Sequence, residues 1–123
     1  MAEPFSAIDP ELYEPPFEQL RAQLIDAVRS GRAAAGEKLP TVRGLATELH
    51  LAANTVAKAY RALEEDGLIE TRGRSGSFVA AQGDATQQRL QRAAHDYAQL
   101  AHELKVDAAS ALDYARAALG IRP

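Results

Sequence analysis

The most constraining feature of this sequence is a change in the spacing of its apolar residues at Gly67. Before this glycine, apolar residues recur three and four positions apart, which is typical of amphipathic helices. After it, the short runs 68–72 and 77–80 are strand-like and flank the glycine-bracketed turn 73–76, which predicts a β-hairpin. A small unit of helices closed by a hairpin is therefore expected over residues 15–80.

Three short helices are predicted ahead of the hairpin. The first follows two prolines, and Thr41 is a suitable N-cap for the second. Residues 31–40, which hold two glycines and a proline, form a connector between these two helices. Helix, helix, helix and hairpin, in that order, indicate a winged helix-turn-helix, so the predicted fold class is mainly α with a small β-hairpin. The predicted helical spans are 17–30, 42–49 and 54–66.

Two further segments flank this unit. Residues 1–14 contain three acids before Tyr13 and two prolines without periodicity, so we interpret them as a flexible N-terminal arm. Beyond a small polar stretch, apolar residues recur four and three apart, and Asp107 can cap a last helix. Residues 86–120 are therefore predicted to form a two-helix tail. Its apolar seam consists of Leu90, Ala94, Tyr97, Ala101, Leu104, Leu112, Ala115 and Leu119.

The predicted tail needs a surface to pack against. Two isolated short helices bury too little to be stable in water. We favour dimerisation through residues 86–119, which would make a second copy of the chain the partner. Packing of the tail on the winged helix of its own chain is the alternative.

Composition limits the compartment in which the chain works. The sequence contains no cysteine, which excludes disulfides, thiolate metal sites and cysteine nucleophiles. No apolar run approaches the roughly 20 residues that span a bilayer, and residues 1–10 are short and acidic, unlike a signal peptide. A cytoplasmic protein without a membrane partner is therefore expected.

No catalytic or metal-binding set stands out in the sequence. His95 and His102 are seven residues apart, which is not a known ligand spacing, and no third ligand is evident. Ser75, Ser77 and Ser110 have no nearby histidine and acid partner. The sequence therefore predicts a protein without enzymatic activity, metal or cofactor.

Side chains that can contact DNA are found in three parts of the predicted fold. The second helix of a helix-turn-helix enters the major groove, where Asn54 can pair with adenine and Thr55 can contact a phosphate or a thymine methyl. Arg43 begins the preceding helix, whose free N–H groups favour an anion. At the tip of the wing, Arg72 and Arg74 flank a glycine, so the backbone can approach the sugar-phosphate chain while an arginine enters the minor groove. The predicted DNA-binding residues are Thr41, Arg43, Ala53, Asn54, Thr55, Lys58, Arg61, Arg72, Gly73, Arg74 and Ser75.

The charges of the chain are compatible with one basic face. The whole chain has 14 basic and 17 acidic residues and a net charge of −3, whereas nucleic-acid binders often have a basic excess. Residues 41–80 hold five basic and five acidic residues, and three of the acids are consecutive at the far end of the third helix. Positive and negative charges are therefore separated within residues 41–80.

Each of these assignments has a plainer structural alternative. Lys58 and Arg61 can pair with acidic residues along the helix surface. Asn54 can serve only as a helix cap. Arginines in a hairpin are more often solubilising charges, and the sequence leaves open which wing arginine enters the groove. The prediction therefore depends on these residues acting together within one fold.

A set of spaced features runs through residues 15–80. They are Gly36-Glu37-Lys38-Leu39-Pro40-Thr41-Val42-Arg43, Leu45-Ala46, Asn54-Thr55-Val56, Ala59-Tyr60, Leu63-Glu64, Gly67-Leu68-Ile69 and Gly76-Ser77-Phe78-Val79. Together they closely resemble the DNA-binding domain of the GntR family, and the short helical tail resembles its YtrA-like subfamily, which lacks large effector domains. The resemblance implies a homodimeric transcription regulator that binds an operator of inverted repeats, with Arg43, Asn54, Thr55, Lys58 and the wing facing double-stranded DNA. It also implies that the C-terminal helices dimerise.

The resulting expectation is a sequence-specific DNA-binding transcriptional regulator, with repression as the default outcome. A winged helix used for protein–protein contact is one alternative, but it would leave the leading face of the third helix apolar and the wing without arginine. A sequence-independent architectural DNA protein is another, which the near-neutral charge disfavours because non-specific binding scales with phosphate neutralisation. A small-molecule effector between tail and domain is left open, since no polar cluster in the sequence indicates one.

Overall fold

The order of elements is that of a winged helix-turn-helix followed by two helices. The computed structural model describes residues 4–121, and within them five α-helices and one two-stranded antiparallel sheet are formed. A 3₁₀ turn, Gly73–Ser75, joins the two strands. The fold class predicted from the sequence is thereby confirmed. The elements are α1 (Pro16–Arg29), α2 (Val42–Leu49), α3 (Ala53–Glu65), β1 (Ile69–Thr71), β2 (Ser77–Val79), α4 (Ala85–Glu103) and α5 (Ala108–Ala118).

The hydrophobic core lies where the first three helices meet. Leu20 and Leu24 of α1, Leu45 of α2, and Val56 and Leu63 of α3 are completely buried in one cluster. The spacing of four residues in α1 and of seven in α3 places the paired side chains of each helix on a single face. Each such side chain contributes about 1.5–3 kcal/mol through its burial. The core is therefore a property of residues 5–79 and does not need the tail.

Local signals place the helix ends. Thr41 is the N-cap of α2, and its Oγ1 accepts the backbone N–H of Gly44 at 3.0 Å, as the sequence predicts. Asp107 caps α5 in the same way through the N–H of Ser110, and hydrogen bonding from Ser110 lowers the pKa of Asp107. α3 begins without a side-chain cap because Ala52 occupies the N-cap position. Asn54 is therefore not used as a cap.

The hairpin has a third backbone partner that the sequence does not reveal. Ile69 pairs with Val79 in the antiparallel register of β1 and β2. On the other edge of β2, the N–H of Leu39 donates to the carbonyl of Ser77 and the N–H of Val79 donates to the carbonyl of Glu37, both at 2.9 Å. The end of the predicted connector is thus extended backbone that satisfies the otherwise unpaired edge of β2.

The segment before α1 packs on the domain. Phe5 is only 4% exposed, and its ring stacks on that of Tyr60 with centroids 6.0 Å apart. The Gln19 side chain accepts the N–H of Asp9 at 2.9 Å and donates to the carbonyls of Asp9 and Glu14. The prediction of a flexible arm over residues 1–14 is therefore wrong for residues 4–14, because a buried aromatic ring and a buried amide hold them. Residues 1–3 lie outside the described part of the chain.

The tail consists of two helices that pack on each other. The hydroxyl of Tyr97 on α4 donates to the carbonyl of Ala111 on α5 at 2.6 Å. Lys105, with a left-handed φ of 59°, makes the turn between the helices. α4 also contacts the winged helix through Gln91 and His95. No helix within residues 4–121 is long and apolar enough to cross a membrane.

Candidate nucleic-acid interface

The outward face of α3 presents a polar stripe. Asn54, Lys58 and Arg61 are exposed and lie at positions i, i+4 and i+7 of the helix, so they share one side. Ala53 at the start of the helix is also exposed, and Thr55 is half-buried beside it. The opposite face is anchored in the core. The first two turns of α3 thus offer hydrogen-bonding and cationic groups on a surface that the fold leaves uncovered.

The start of α2 is tied to the middle of α3. The hydroxyl of Tyr60 donates to the carbonyl of Pro40 at 2.7 Å, and burial raises the pKa of this tyrosine, which keeps the hydroxyl protonated as a donor. Thr41 and Arg43 follow directly and are exposed. The structure therefore brings the predicted residues of α2 next to the α3 stripe. The hydroxyl hydrogen of Thr41 is still available, because the cap uses only its oxygen as an acceptor.

The basic residues of α3 are not paired with the acids at its end. The Nζ of Lys58 lies 3.9 Å from the centroid of the Phe17 ring, a cation–π contact that positions the ammonium group and leaves it accessible. Within residues 4–121, neither Lys58 nor Arg61 forms an ion pair with Glu64 or Glu65. The structure therefore does not contain the alternative arrangement, in which Lys58 and Arg61 only form ion pairs along the helix surface.

Asp66, one of the three consecutive acids at the end of α3, forms an ion pair with Arg21 of α1. Asp66 contacts the Nη2 of Arg21 at 2.6 Å, and this carboxylate raises the pKa of the arginine. Arg21 also contacts Glu18 at 3.2 Å. These contacts lie at the end of α3 opposite to Asn54, so the acidic and basic ends of the helix are separated as the sequence predicts.

The two wing arginines have different surroundings. The guanidinium of Arg72 contacts the carboxylate of Glu70 and lies over the ring of Phe78, 4.3 Å from its centroid. Arg74 is in the 3₁₀ turn between the strands, is exposed, and has no carboxylate partner among residues 4–121. Gly73 beside it has a φ of 51°, a conformation that suits glycine. Arg72 is thus held on the sheet, whereas Arg74 projects from the tip with Ser75.

Lys38 is a basic residue of this surface that the sequence reasoning missed. It bridges to Phe78 through the backbone, and its side chain passes Gly76, where a Cβ would lie 3.3 Å from the Lys38 Cε. Lys38 is exposed. It stands in a stretch that the sequence predicts to be a connector, and the only sequence signal for it is its place in the run 36–43. The pairing with β2 places this charge beside the wing.

The tail carries a separate apolar surface. Apart from Leu12 and Tyr13, all large exposed apolar side chains of residues 4–121 lie between Leu90 and Ile121. The predicted seam contributes five of them, and three more were not predicted because they fall outside the repeat of four and three: Leu100, Tyr114 and Ile121. Of the predicted alanines, Ala94 is exposed and Ala101 and Ala115 are half-buried. The exposed seam residues are Leu90, Tyr97, Leu104, Leu112 and Leu119.

The histidines of α4 do not form a metal site with other residues. Within residues 4–121, no group of three or more histidine, cysteine, aspartate or glutamate side chains is arranged to hold a metal ion. The ring of His95 instead packs on the backbone of Gly36, whose Cβ, if present, would lie 2.6 Å from the ring. His102 is exposed.

Comparison with known families and proteins gives consistent matches. The family model for bacterial regulatory proteins of the gntR family matches residues 16–79. The HTH-type transcriptional regulator Rv1152 of Mycobacterium tuberculosis is 45% identical over 107 residues, which cover 87% of this chain and 88% of that protein. The HTH-type transcriptional repressor YtrA of Bacillus subtilis is 39% identical over 79 residues, which cover 64% of this chain and 61% of that protein.

Two solved structures share the fold, one along nearly the whole chain and one over its DNA-binding part. YtrA from Sulfolobus acidocaldarius, a GntR-family transcription factor, is 26% identical with a TM-score of 0.59, covering 94% of this chain and 97% of that one. The DNA-binding domain of AraR in complex with operator ORX1 is 25% identical with a TM-score of 0.52, covering 62% of this chain and 92% of that one. The family match over residues 16–79 and the 45% identity along most of the chain show that this protein belongs to the GntR family of bacterial regulatory proteins.

Proposed function

We propose that this protein is a homodimeric transcriptional regulator that binds an inverted-repeat operator through the winged helix of residues 15–80. The observation that carries the proposal is the uncovered polar stripe of α3, with Asn54 in its first turn and Lys58 and Arg61 along it. Base edges in the major groove are read by an amide such as that of Asn54, and phosphates are met by the cations. The other proposed contacts are Thr41, Arg43, Ala53, Thr55, Arg72, Gly73, Arg74 and Ser75.

The apolar surface of the tail supports dimerisation through residues 86–120. Leu90, Leu104 and Leu119 are each more than 60% exposed, at 73%, 65% and 74%. A continuous apolar surface of this kind marks an interface on a soluble protein. If the tail served only to brace its own winged helix, these side chains would face that domain rather than solvent.

A two-fold dimer of this type explains how an operator is recognised. The symmetry places two copies of α3 in major grooves about one helical turn or more apart, with the wings over the flanking minor grooves. Bound in this way, the protein occludes the DNA from polymerase, and repression in the cytoplasm is the expected result. The name of the Bacillus subtilis relative, a transcriptional repressor, agrees with this outcome for that protein.

The first test is fluorescence anisotropy with duplexes from the upstream region of the gene, at near-physiological salt, against a scrambled duplex. We expect binding to one upstream duplex to be at least about 1000-fold tighter than to the scrambled control. Arg43→Ala should weaken binding to all sequences, whereas Asn54→Ala should relax the preference at one base pair by about 10-fold. Thr86→Ala, an exposed position on α4, serves as the control and should bind like the wild type.

This test decides whether Asn54 makes the base contact and whether the winged helix recognises an operator. An unchanged base preference in Asn54→Ala would show that the base contact lies elsewhere on α3. Weak and equal binding to both duplexes would argue against operator recognition by the unliganded protein and favour a protein partner for the winged helix.

The environment of the two wing arginines predicts that Arg74, not Arg72, enters the minor groove. Arg72 is engaged by Glu70 and Phe78, while Arg74 is exposed at the turn. Arg74→Ala should lower operator affinity by about 10-fold, since a groove contact by arginine contributes on the order of 1–3 kcal/mol. Arg72→Ala should lower it by about 3-fold or less, through loosening of the wing. The same anisotropy assay measures both variants, and the reverse order of effects would contradict the assignment.

A further inference from the structure

A cavity of about 600 Å³ separates the winged helix from α4. One wall is the connector of residues 31–37 with the end of β2, and the other is the α4 surface at Ala94 and Ala98. Two contacts hold α4 over this space. The Gln91 side chain donates to the carbonyl of Gln82 at 2.6 Å and accepts its N–H at 3.0 Å, and the His95 ring packs on the backbone of Gly36.

The walls of the cavity are made of short apolar side chains. Alanine fills less space than any other apolar residue with a side chain, so a row of alanines leaves a hollow where leucines would interlock. The resulting volume falls within the 300–1,000 Å³ range of small-molecule sites. The alanines that line it are Ala33, Ala34, Ala35, Ala80, Ala94 and Ala98.

One carboxyl group faces this apolar space. Among the residues that line the cavity, Glu37 is the only acid, and no lysine or arginine is present. Its Oε1 accepts the N–H of Ala34 at 3.2 Å, and it forms no ion pair within residues 4–121. A half-buried carboxylate beside apolar walls attracts a cation more strongly than it would in bulk water. The imidazole of His95, which also lines the cavity, adds a hydrogen-bonding group nearby.

We propose that this cavity binds a small organic cation, an ammonium group carried on a compact apolar body. The ammonium group lies against the carboxylate of Glu37, and the apolar body lies against the alanine walls. This chemistry distinguishes the occupant from an anionic metabolite, which Glu37 would repel, and from a neutral apolar molecule, which would leave the carboxylate without a partner.

The position of the cavity gives such a ligand a regulatory effect, a consequence that rests on the proposed function. The ligand contacts both the DNA-binding unit and α4, the helix proposed to carry the dimer surface. A ligand that fits one orientation of α4 better than another shifts the population toward that orientation. In a dimer this shift changes the distance between the two copies of α3, and with it the operator affinity.

The binding step is tested on the full chain without DNA, by ¹H–¹⁵N NMR titration at constant ionic strength. The probes are cyclohexylammonium, cyclohexanecarboxylate and cyclohexanol, which share one ring and differ in charge. We expect saturable shifts at the backbone amides of residues 31–37 and 79–82 with cyclohexylammonium, and binding of the other two probes at least about 10-fold weaker. Glu37→Gln, which retains the hydrogen bond to Ala34, should remove the preference for the cation. Glu65→Gln, an exposed glutamate on α3, should keep it.

Several outcomes would overturn the proposal. Equal binding of the three probes, or an unaltered preference in Glu37→Gln, would contradict the role of the carboxylate. The absence of shifts with every probe would show that the cavity does not bind organic molecules of this size, and the proposed site would be wrong.

Fluorescence anisotropy then tests, separately from ligand binding, whether the ligand changes operator affinity. Saturating cyclohexylammonium should change operator affinity for the wild type by about 5-fold or more and leave Glu37→Gln unchanged. Binding by NMR without this change would overturn the regulatory consequence alone. Failure of any duplex to bind would contradict the proposed function, while the NMR result would still support or overturn the site.

Discussion

Replacing Leu104 and Leu112 together by aspartate should convert the protein from a dimer into a monomer and lower operator affinity by about 100-fold or more. Both side chains are over half exposed, at 65% and 53%, so the charges cost little within one chain. In a dimer they would be buried without a partner, which is strongly unfavourable. The loss of affinity follows because a monomer can no longer engage two half-sites at once. Sedimentation velocity measures the oligomeric state and anisotropy measures the affinity.

A second double variant controls for added charge. Gln99→Asp with Ala117→Asp places the same substitutions on the opposite side of α4 and α5, at exposed positions away from the seam. This control should stay dimeric and bind the operator like the wild type, apart from a small electrostatic loss. If the Leu104 and Leu112 variant sediments as a dimer, the tail is not the dimer interface. If it is monomeric and binds with unchanged affinity, the two-half-site mechanism is wrong.

Phe5→Ala should lower the free energy of unfolding by about 3 kcal/mol, the lower end of the range for loss of a buried phenylalanine. Phe5 is 4% exposed and stacks on Tyr60, so its removal leaves a cavity beside α3. Urea denaturation followed by circular dichroism, at one fixed protein concentration, measures the change. The concentration is held constant because the stability of a dimer depends on it.

Tyr13→Ala is the matched control for this variant. Tyr13 belongs to the same segment and is 99% exposed, so its removal should change the unfolding free energy by less than about 0.5 kcal/mol. Equal small effects of the two substitutions would mean that residues 4–14 do not pack on the domain in solution.

The local features of the fold could be predicted from the sequence because each is encoded within a few residues. The spacing of Leu20 and Leu24, or of Val56 and Leu63, specifies a helix and its buried face without knowledge of the rest of the chain. Thr41 and Asp107 mark helix starts because the side chain of a cap reaches only the N–H groups that follow it. The order of these elements was sufficient to identify the winged helix-turn-helix.

Pairings between distant segments could not be predicted in this way. The N-terminal segment has no periodicity, yet Phe5 finds an aromatic partner 55 residues later, in Tyr60. Residues 36–39 read as a loop because nothing local shows that the edge of β2 needs backbone partners. Both errors arise because burial and strand pairing depend on which segments meet, and a linear pattern does not contain that information.

For the candidate site, the sequence by itself predicted which residues can contact DNA, apart from Lys38, and the tertiary structure decided which of them are exposed. Asn54, Lys58 and Arg61 share a helix face by their spacing alone, because helical geometry is the same in every protein. Arg72 and Arg74 are equivalent in the sequence, but only Arg72 lies over Phe78, a contact that exists because the antiparallel pairing of β1 with β2 brings that ring beneath it. The cavity beside Glu37 likewise forms only where α4 returns to the winged helix, since its walls come from segments separated by more than 50 residues along the chain.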